Sequence, residues 1–202
     1  MAVEAHDKLD FKKTEKPFYS GKRGIWQQIE LPPMQYLSVA GIGAPTVHNA
    51  YAEAMGGLFP VAYAIKFSSK AAGRDFVVPP QSTQWWADDP SAFVEDRRDE
   101  WRWNAMIRMP DWVEEADVKA AMAAKQVTGV VLRPLREGQC FQCLHVGPFA
   151  DEAPVLADLH DHVMPAAGMT FNGPHHEVYL SDPRRTAPEK LRTILRQPVR
   201  QG

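Results

Sequence analysis

The chain has 202 residues, 45% of them hydrophobic and 24% charged, which suits one globular domain or two fused halves with a core that needs no metal or disulfide staple. Its 23 Lys and Arg against 25 Asp and Glu leave a formal charge of -2, without the basic excess of a nucleic-acid binder. Residues 1–18 mix acids and lysines, and no later stretch is apolar for long enough to span a bilayer, so a cytoplasmic protein with no membrane partner is expected.

Residues 1–33 read as a polar, lysine-rich N-terminal arm, extended and packed onto the domain by Phe18, Tyr19 and Trp26. Residues 34–202 read as a single domain. Met34 to Gly41 alternates and ends in glycine, which predicts a strand. The run Gly41-Ile42-Gly43-Ala44-Pro45-Thr46 approaches a dinucleotide loop, but Thr46 replaces the third glycine and Pro45 interrupts it, so no cofactor is expected. Thr46 to about Ala72 has a helical period in two pieces: Val47, Ala50, Tyr51 and Ala54 share a face, Gly56-Gly57 interrupts, and Leu58, Ala62, Ile65 and Ser69 resume. Pro60 fits the first turn of the second piece. Asp75 to Val78 then reads as a strand ended by Pro79-Pro80, with Trp85 and Trp86 in a following loop. Glu100 to Met109 alternates, with Trp101, Trp103, Ala105, Ile107 and Met109 on one face, and Pro110 stops it.

A helix at about 114–126 links to a second series. Gln139 to Val146 reads as a strand, so the C-x-x-C pair Cys140 and Cys143 faces opposite ways and is not a redox pair. Gly147-Pro148 leads into a helix from about Asp151 to Val163, with Leu159 inward, closed by Pro165 and Gly168. His175 to Leu180 is a strand. Thr186 to Glu189 has capping-box spacing and feeds a last strand, Leu191 to Val199. Strand, Gly-Pro turn, helix, strand and strand thus occur twice, over about 34–110 and 139–199. The predicted fold is α+β: two pseudo-repeated strand-helix-strand-strand units forming antiparallel sheet, with helices on one face and a central groove suited to a small molecule.

Tyr36 to Gly43, Phe59 to Tyr63 with Ile65-Lys66, Trp101 to Pro110 with Asp111-Trp112, Leu144 to Phe149, and Glu177 to Tyr179 with Ser181 to Pro183 together resemble the GyrI-like small-molecule-binding domains. The resemblance runs over nearly the whole of 34–199, and the chain is similar to stand-alone members that lack a helix-turn-helix. It implies an aromatic-lined cleft with an acidic residue on a strand of the second half, here Glu177. The tryptophan-rich middle resembles most the subfamily that hydrolyses cyclopropane-bearing, DNA-alkylating natural products inside an aromatic cage. Phe149 stands where many members carry tyrosine.

Alternation places His175, Glu177 and Tyr179 on one face and His176, Val178 and Leu180 on the other, where the latter, mostly apolar, set is expected to meet the helices. A carboxylate among indoles either pairs with a cationic aromatic ligand or, when desolvated, activates water. Glu177 and Tyr179 are therefore the candidate catalytic residues, the first handling water and the second hydrogen-bonding an oxygen that gains charge. Tyr63, Trp85, Trp86, Trp101, Trp103, Phe149 and His175 are the candidate ligand walls, against the alternative that large rings in a strand row are core. The seven histidines show no metal-ligand spacing, so no metal is expected. The leading function is binding of aromatic or amphipathic xenobiotics, with hydrolysis of reactive ones as a catalytic, detoxifying form. The alternatives are a non-catalytic sensor or sequestering module, for which the family name suggests a protein partner such as a topoisomerase, and a protein-interaction modulator that uses the aromatic face as an interface.

Overall fold

The computed structural model describes residues 8–45 and 50–202; residues 1–7 of the arm and the expected helix start at Thr46 and Val47 lie outside them. Among the described residues the strands are β1 (Gln27–Leu31), β2 (Met34–Ile42), β3 (Gln81–Trp86), β4 (Arg102–Met109), β5 (Val131–Leu135), β6 (Gly138–Val146), β7 (Met169–Phe171), β8 (His175–Tyr179) and β9 (Arg192–Gln201). The helices are α1 (Phe11–Thr14), α2 (Ala50–Ala71), α3 (Ser91–Val94), α4 (Glu115–Lys125), α5 (Ala153–Asp158) and α6 (Met164–Ala166). The fold is α+β with antiparallel pairing. No described helix is long and apolar enough to cross a membrane.

Two compact units divide the described residues. The first holds residues 8–16, 34–45, 50–79 and 87–135. Its sheet runs β4-β2-β5, with Leu37 between Ile107 and Leu132, and Val39 opposite Ala105. Nearly all of β4 is buried, on both faces. Its polar residues are accordingly paired: Asn104 accepts from the Ser38 hydroxyl, and Arg108 lies 4.8 Å over the Phe11 ring and reaches Glu15 and Asp111.

Where the residue pattern predicts two helical pieces, α2 runs unbroken through Gly56-Gly57 and Pro60. Two interior glycines and a proline cost a helix on the order of 1 and 3 kcal/mol each. Burial of Leu58, Val61, Ala62 and Ile65, each no more than 1% exposed, offsets that. Gly57 has a further reason, since a Cβ there would come within 3.0 Å of the Val127 side chain.

The second unit holds Pro17–Pro33, Pro80–Trp86 and Arg136–Gly202. Its sheet runs β1-β6-β9-β8-β3, and β7 pairs the end of β9. The strand expected at Asp75 to Val78 is reduced to a single bridge between Leu9 and Phe76. The real strand starts after Pro79-Pro80, because prolines lack the donors a central ladder needs, and it carries Trp85 and Trp86 out of the expected loop. The arm is not simply extended either, containing α1, a 3-10 turn at Lys16–Tyr19 and edge strand β1. Gln142 donates to the carbonyls of Pro17 and Ser20, both at 2.9 Å, and Arg196 to that of Phe18 at 2.8 Å.

Cross-strand register gives this sheet two distinct faces. On one, Phe141 and Val199 pack with Leu159 and Met164 of the helical run formed by α5, a π turn at Leu159–Val163, and α6. On the other, Leu144, Val178 and Ile194 pack with Tyr19 and Leu180. The side of His176 and Val178 therefore meets the arm, and the side of Glu177 carries the helical run, the reverse of the expected contact. Period-two alternation separates faces but does not say what will cover each.

Candidate active site

Glu177 sits on β8 opposite Thr83 of β3 and Leu195 of β9. Its neighbours on the same strand face are His175, opposite Trp85, and Tyr179, opposite Thr193. The indole Nε1 of Trp85 donates to the Tyr179 hydroxyl at 3.0 Å, across the side on which Glu177 projects. The Phe149 ring meets that of Tyr179 edge-on at 5.7 Å. The Glu177 side chain is 14% exposed, with Oε1 3.5 Å from His175 Nε2. That is an electrostatic contact rather than a hydrogen bond, and neither ring nitrogen of His175 has a hydrogen-bond partner among the described residues.

A residue without any sequence signal completes the cluster. Glu152 lies in the turn between strand β6 and helix α5, and is only 5% exposed. Burial first, and the Glu177 carboxylate second, push its pKa up to about 9, so it holds a proton at neutral pH. Thr193 on β9 is its polar neighbour and opposes the shift, but Thr193 Oγ1 and Glu152 Oε1 have no hydrogen-bond partner among the described residues. His160, on the π turn, has its pKa lowered by burial and by the nearby His175.

The opposite sheet face shows what a structural buried carboxylate looks like. Glu137 lies 2.9 and 3.0 Å from His176 Nδ1 and 3.8 Å from Arg196, and Gln84 donates to it at 3.4 Å. Burial disfavours its charge, but His176, Arg196 and Gln84 outweigh that and hold its pKa below the usual carboxylate range.

Of the sequence-derived site residues, Glu177, Tyr179, His175, Trp85 and Phe149 come together on one face of the second unit. Trp86 follows Trp85 on β3, so alternation turns it to the other face. Tyr63, Trp101 and Trp103 belong to the first unit. Tyr63 is 46% exposed beside Phe67 on α2. Trp101 donates to the Ala92 carbonyl at 3.2 Å and lies against Phe93. Trp103 is 1% exposed, packed against Gly41 and edge-on to Tyr51 at 5.1 Å, so its ring is core rather than an open wall.

Cys140 and Cys143 are buried and free, and burial pushes both thiols up, leaving them unreactive. Among the described residues no three His, Cys, Asp or Glu side chains gather as a metal site. The cluster thus offers a carboxylate, a protonated carboxyl, an oriented phenol and aromatic surface, which suits acid-base chemistry on an aromatic ligand.

The pattern of the GyrI-like small molecule binding domain family matches residues 27–200. A conserved protein from Listeria innocua is 39% identical with a TM-score of 0.86, over 96% of this chain and 100% of that one. A protein of the same organism described as a hydrolase is 38% identical with a TM-score of 0.82, over the same shares, 96% and 100%. The EcmrR C-terminal domain, 11% identical with a TM-score of 0.58 over 88% of this chain and 98% of that one, shares the fold alone. No curated protein matches the chain.

Proposed function

The chain belongs to the GyrI-like small-molecule-binding domain family, and from that premise we propose that it binds aromatic or amphipathic xenobiotics and hydrolyses those carrying an activated cyclopropane, a detoxifying activity of the cytoplasm. The observation that carries the reading is the cluster on the β8 face, where Glu177 projects beside Tyr179 and Trp85 with a second, protonated carboxyl next to it. Binding alone needs aromatic surface and one charge; a second carboxyl that keeps its proton beside Glu177 is the equipment of proton transfer. The 38% identical Listeria protein described as a hydrolase supports the same reading.

In this reading the planar body of the ligand lies against the exposed ring of Phe149, while the buried indole of Trp85 holds Tyr179 in place. Glu177 takes a proton from water, and the Tyr179 hydroxyl, oriented by Trp85, hydrogen-bonds the oxygen on which charge develops. The strained ring carbon is the electrophile, so neither a covalent intermediate nor a metal is required. Incubation with a cyclopropane-bearing alkylator, with ring opening followed by mass spectrometry, tests it. Glu177→Gln should lower turnover by roughly 10²- to 10⁴-fold while keeping ligand-dependent tryptophan quenching. Parent-rate turnover in that variant would remove Glu177 as the base. Saturable quenching without turnover in the unmodified protein would leave a sequestering or sensing module.

A further inference from the structure

Glu137 and Glu152 are buried carboxyls of one unit, handled in opposite ways. Glu137 is ringed by His176, Arg196 and Gln84. Glu152 leaves Oε1 without a hydrogen-bond partner among the described residues, and the charge that acts on it is another carboxylate, Glu177. An acid buried in that way costs stability, because the desolvated oxygen recovers no bond and the like charge repels its ionised form. Glutamine would fill the same space without a titrating proton. An acid at such a place contributes a proton rather than packing.

We propose that Glu152 is a second catalytic carboxyl of this site, the acid that gives a proton to the oxygen receiving the electrons of the broken bond while Glu177 takes one from the attacking water. The assignment rests on the hydrolytic reading above. A cyclopropane conjugated to an electron acceptor such as a carbonyl is activated toward opening by water. Water oxygen bonds to the ring carbon and its proton passes to Glu177. The ring C–C bond breaks, its electron pair moves through the conjugated system to the carbonyl oxygen, and that oxygen takes the Glu152 proton. Substrate plus one water becomes an alcohol and an enol or phenol, and return of a proton from Glu177 to Glu152 restores the pair.

The titratable groups sharing this side of the sheet are Glu177, His175 and Tyr179 on β8 and Cys143 and His145 on β6, with Asp158 and His160 on the helical run packed over it. Beside them, Glu152 keeps its proton into the alkaline range. The acid role therefore shows as an alkaline limb in the kcat-pH profile, near pH 9.

The test is a kcat and KM comparison of the full chain with Glu152→Gln across pH, using a cyclopropane-bearing alkylator as the probe. The expected result is a kcat roughly 10²- to 10⁴-fold lower, a KM within about threefold and no limb near pH 9. Quenching by the inert ring-opened product reports a folded site in the variant, and Glu152→Asp, which keeps an acid at shorter reach, should regain part of the rate. Turnover of the parent protein with an unchanged kcat and limb in Glu152→Gln overturns this proposal alone. Absence of turnover in the parent protein overturns the hydrolytic reading and this proposal with it.

Discussion

Glu152 makes folding stability depend on pH in a way that one substitution isolates. Its carboxyl binds a proton up to about pH 9 in the folded chain, against an ordinary value of 4.5. Between those values the folded state holds one more proton than the unfolded, so stability falls as pH rises, at about 1.4 kcal/mol per pH unit. From pH 6 to pH 8 the loss is about 2.7 kcal/mol, a large part of the roughly 5–15 kcal/mol that holds a domain together. Glu152→Gln abolishes that slope. His160, with its lowered pKa, works the other way as pH rises through its ordinary 6.5, and the buried thiols of Cys140 and Cys143 add a further loss at alkaline pH. All three are present in both proteins and cancel in the difference. Urea denaturation followed by tryptophan fluorescence at pH 6, 7 and 8 should show the two stabilities converging and then crossing or separating in favour of Glu152→Gln as pH rises. Curves that stay parallel would mean that Glu152 is ionised throughout, and the reasoning from its burial would be wrong.

Gly41→Ala should destabilise by about 1–3 kcal/mol, read as a lowered thermal midpoint, because a Cβ there would fall inside the Trp103 indole; an unchanged midpoint would show that this ring moves freely. Glu137→Gln strips the negative partner from His176 and Arg196, and a loss of about 3 kcal/mol or more is expected in chemical denaturation at neutral pH. A loss below about 1 kcal/mol would place that carboxylate outside the folding energetics.

The legible parts of the sequence were those where one local period decides. Met34 to Ile42, Arg102 to Met109 and Gly138 to Val146 are strands because their alternation, closed by glycine or proline, admits little else. The grouping of His175, Glu177 and Tyr179 on one face followed from the same period. The illegible parts depended on partners distant in the chain. β1 and β5 are mostly exposed and short of apolar alternation, and exist because β6 and β2 offer free edges to pair with. The unbroken α2 exists because packing outweighs the glycine and proline preferences that argue for a break.

The amino-acid sequence by itself determined the α+β class, the antiparallel strands and the facing of Glu177 with Tyr179, all consequences of spacing within a few residues. Tertiary structure decided which surroundings each buried ring has, setting Trp85 against the Tyr179 hydroxyl in the second unit and Trp103 edge-on to Tyr51 in the first, although both read as cage walls. It also decided the states of the acids. Glu137 and Glu152 are the same residue in similarly buried places, and only the presence of His176 and Arg196 beside one and Glu177 beside the other makes the first a held anion and the second a store of one proton.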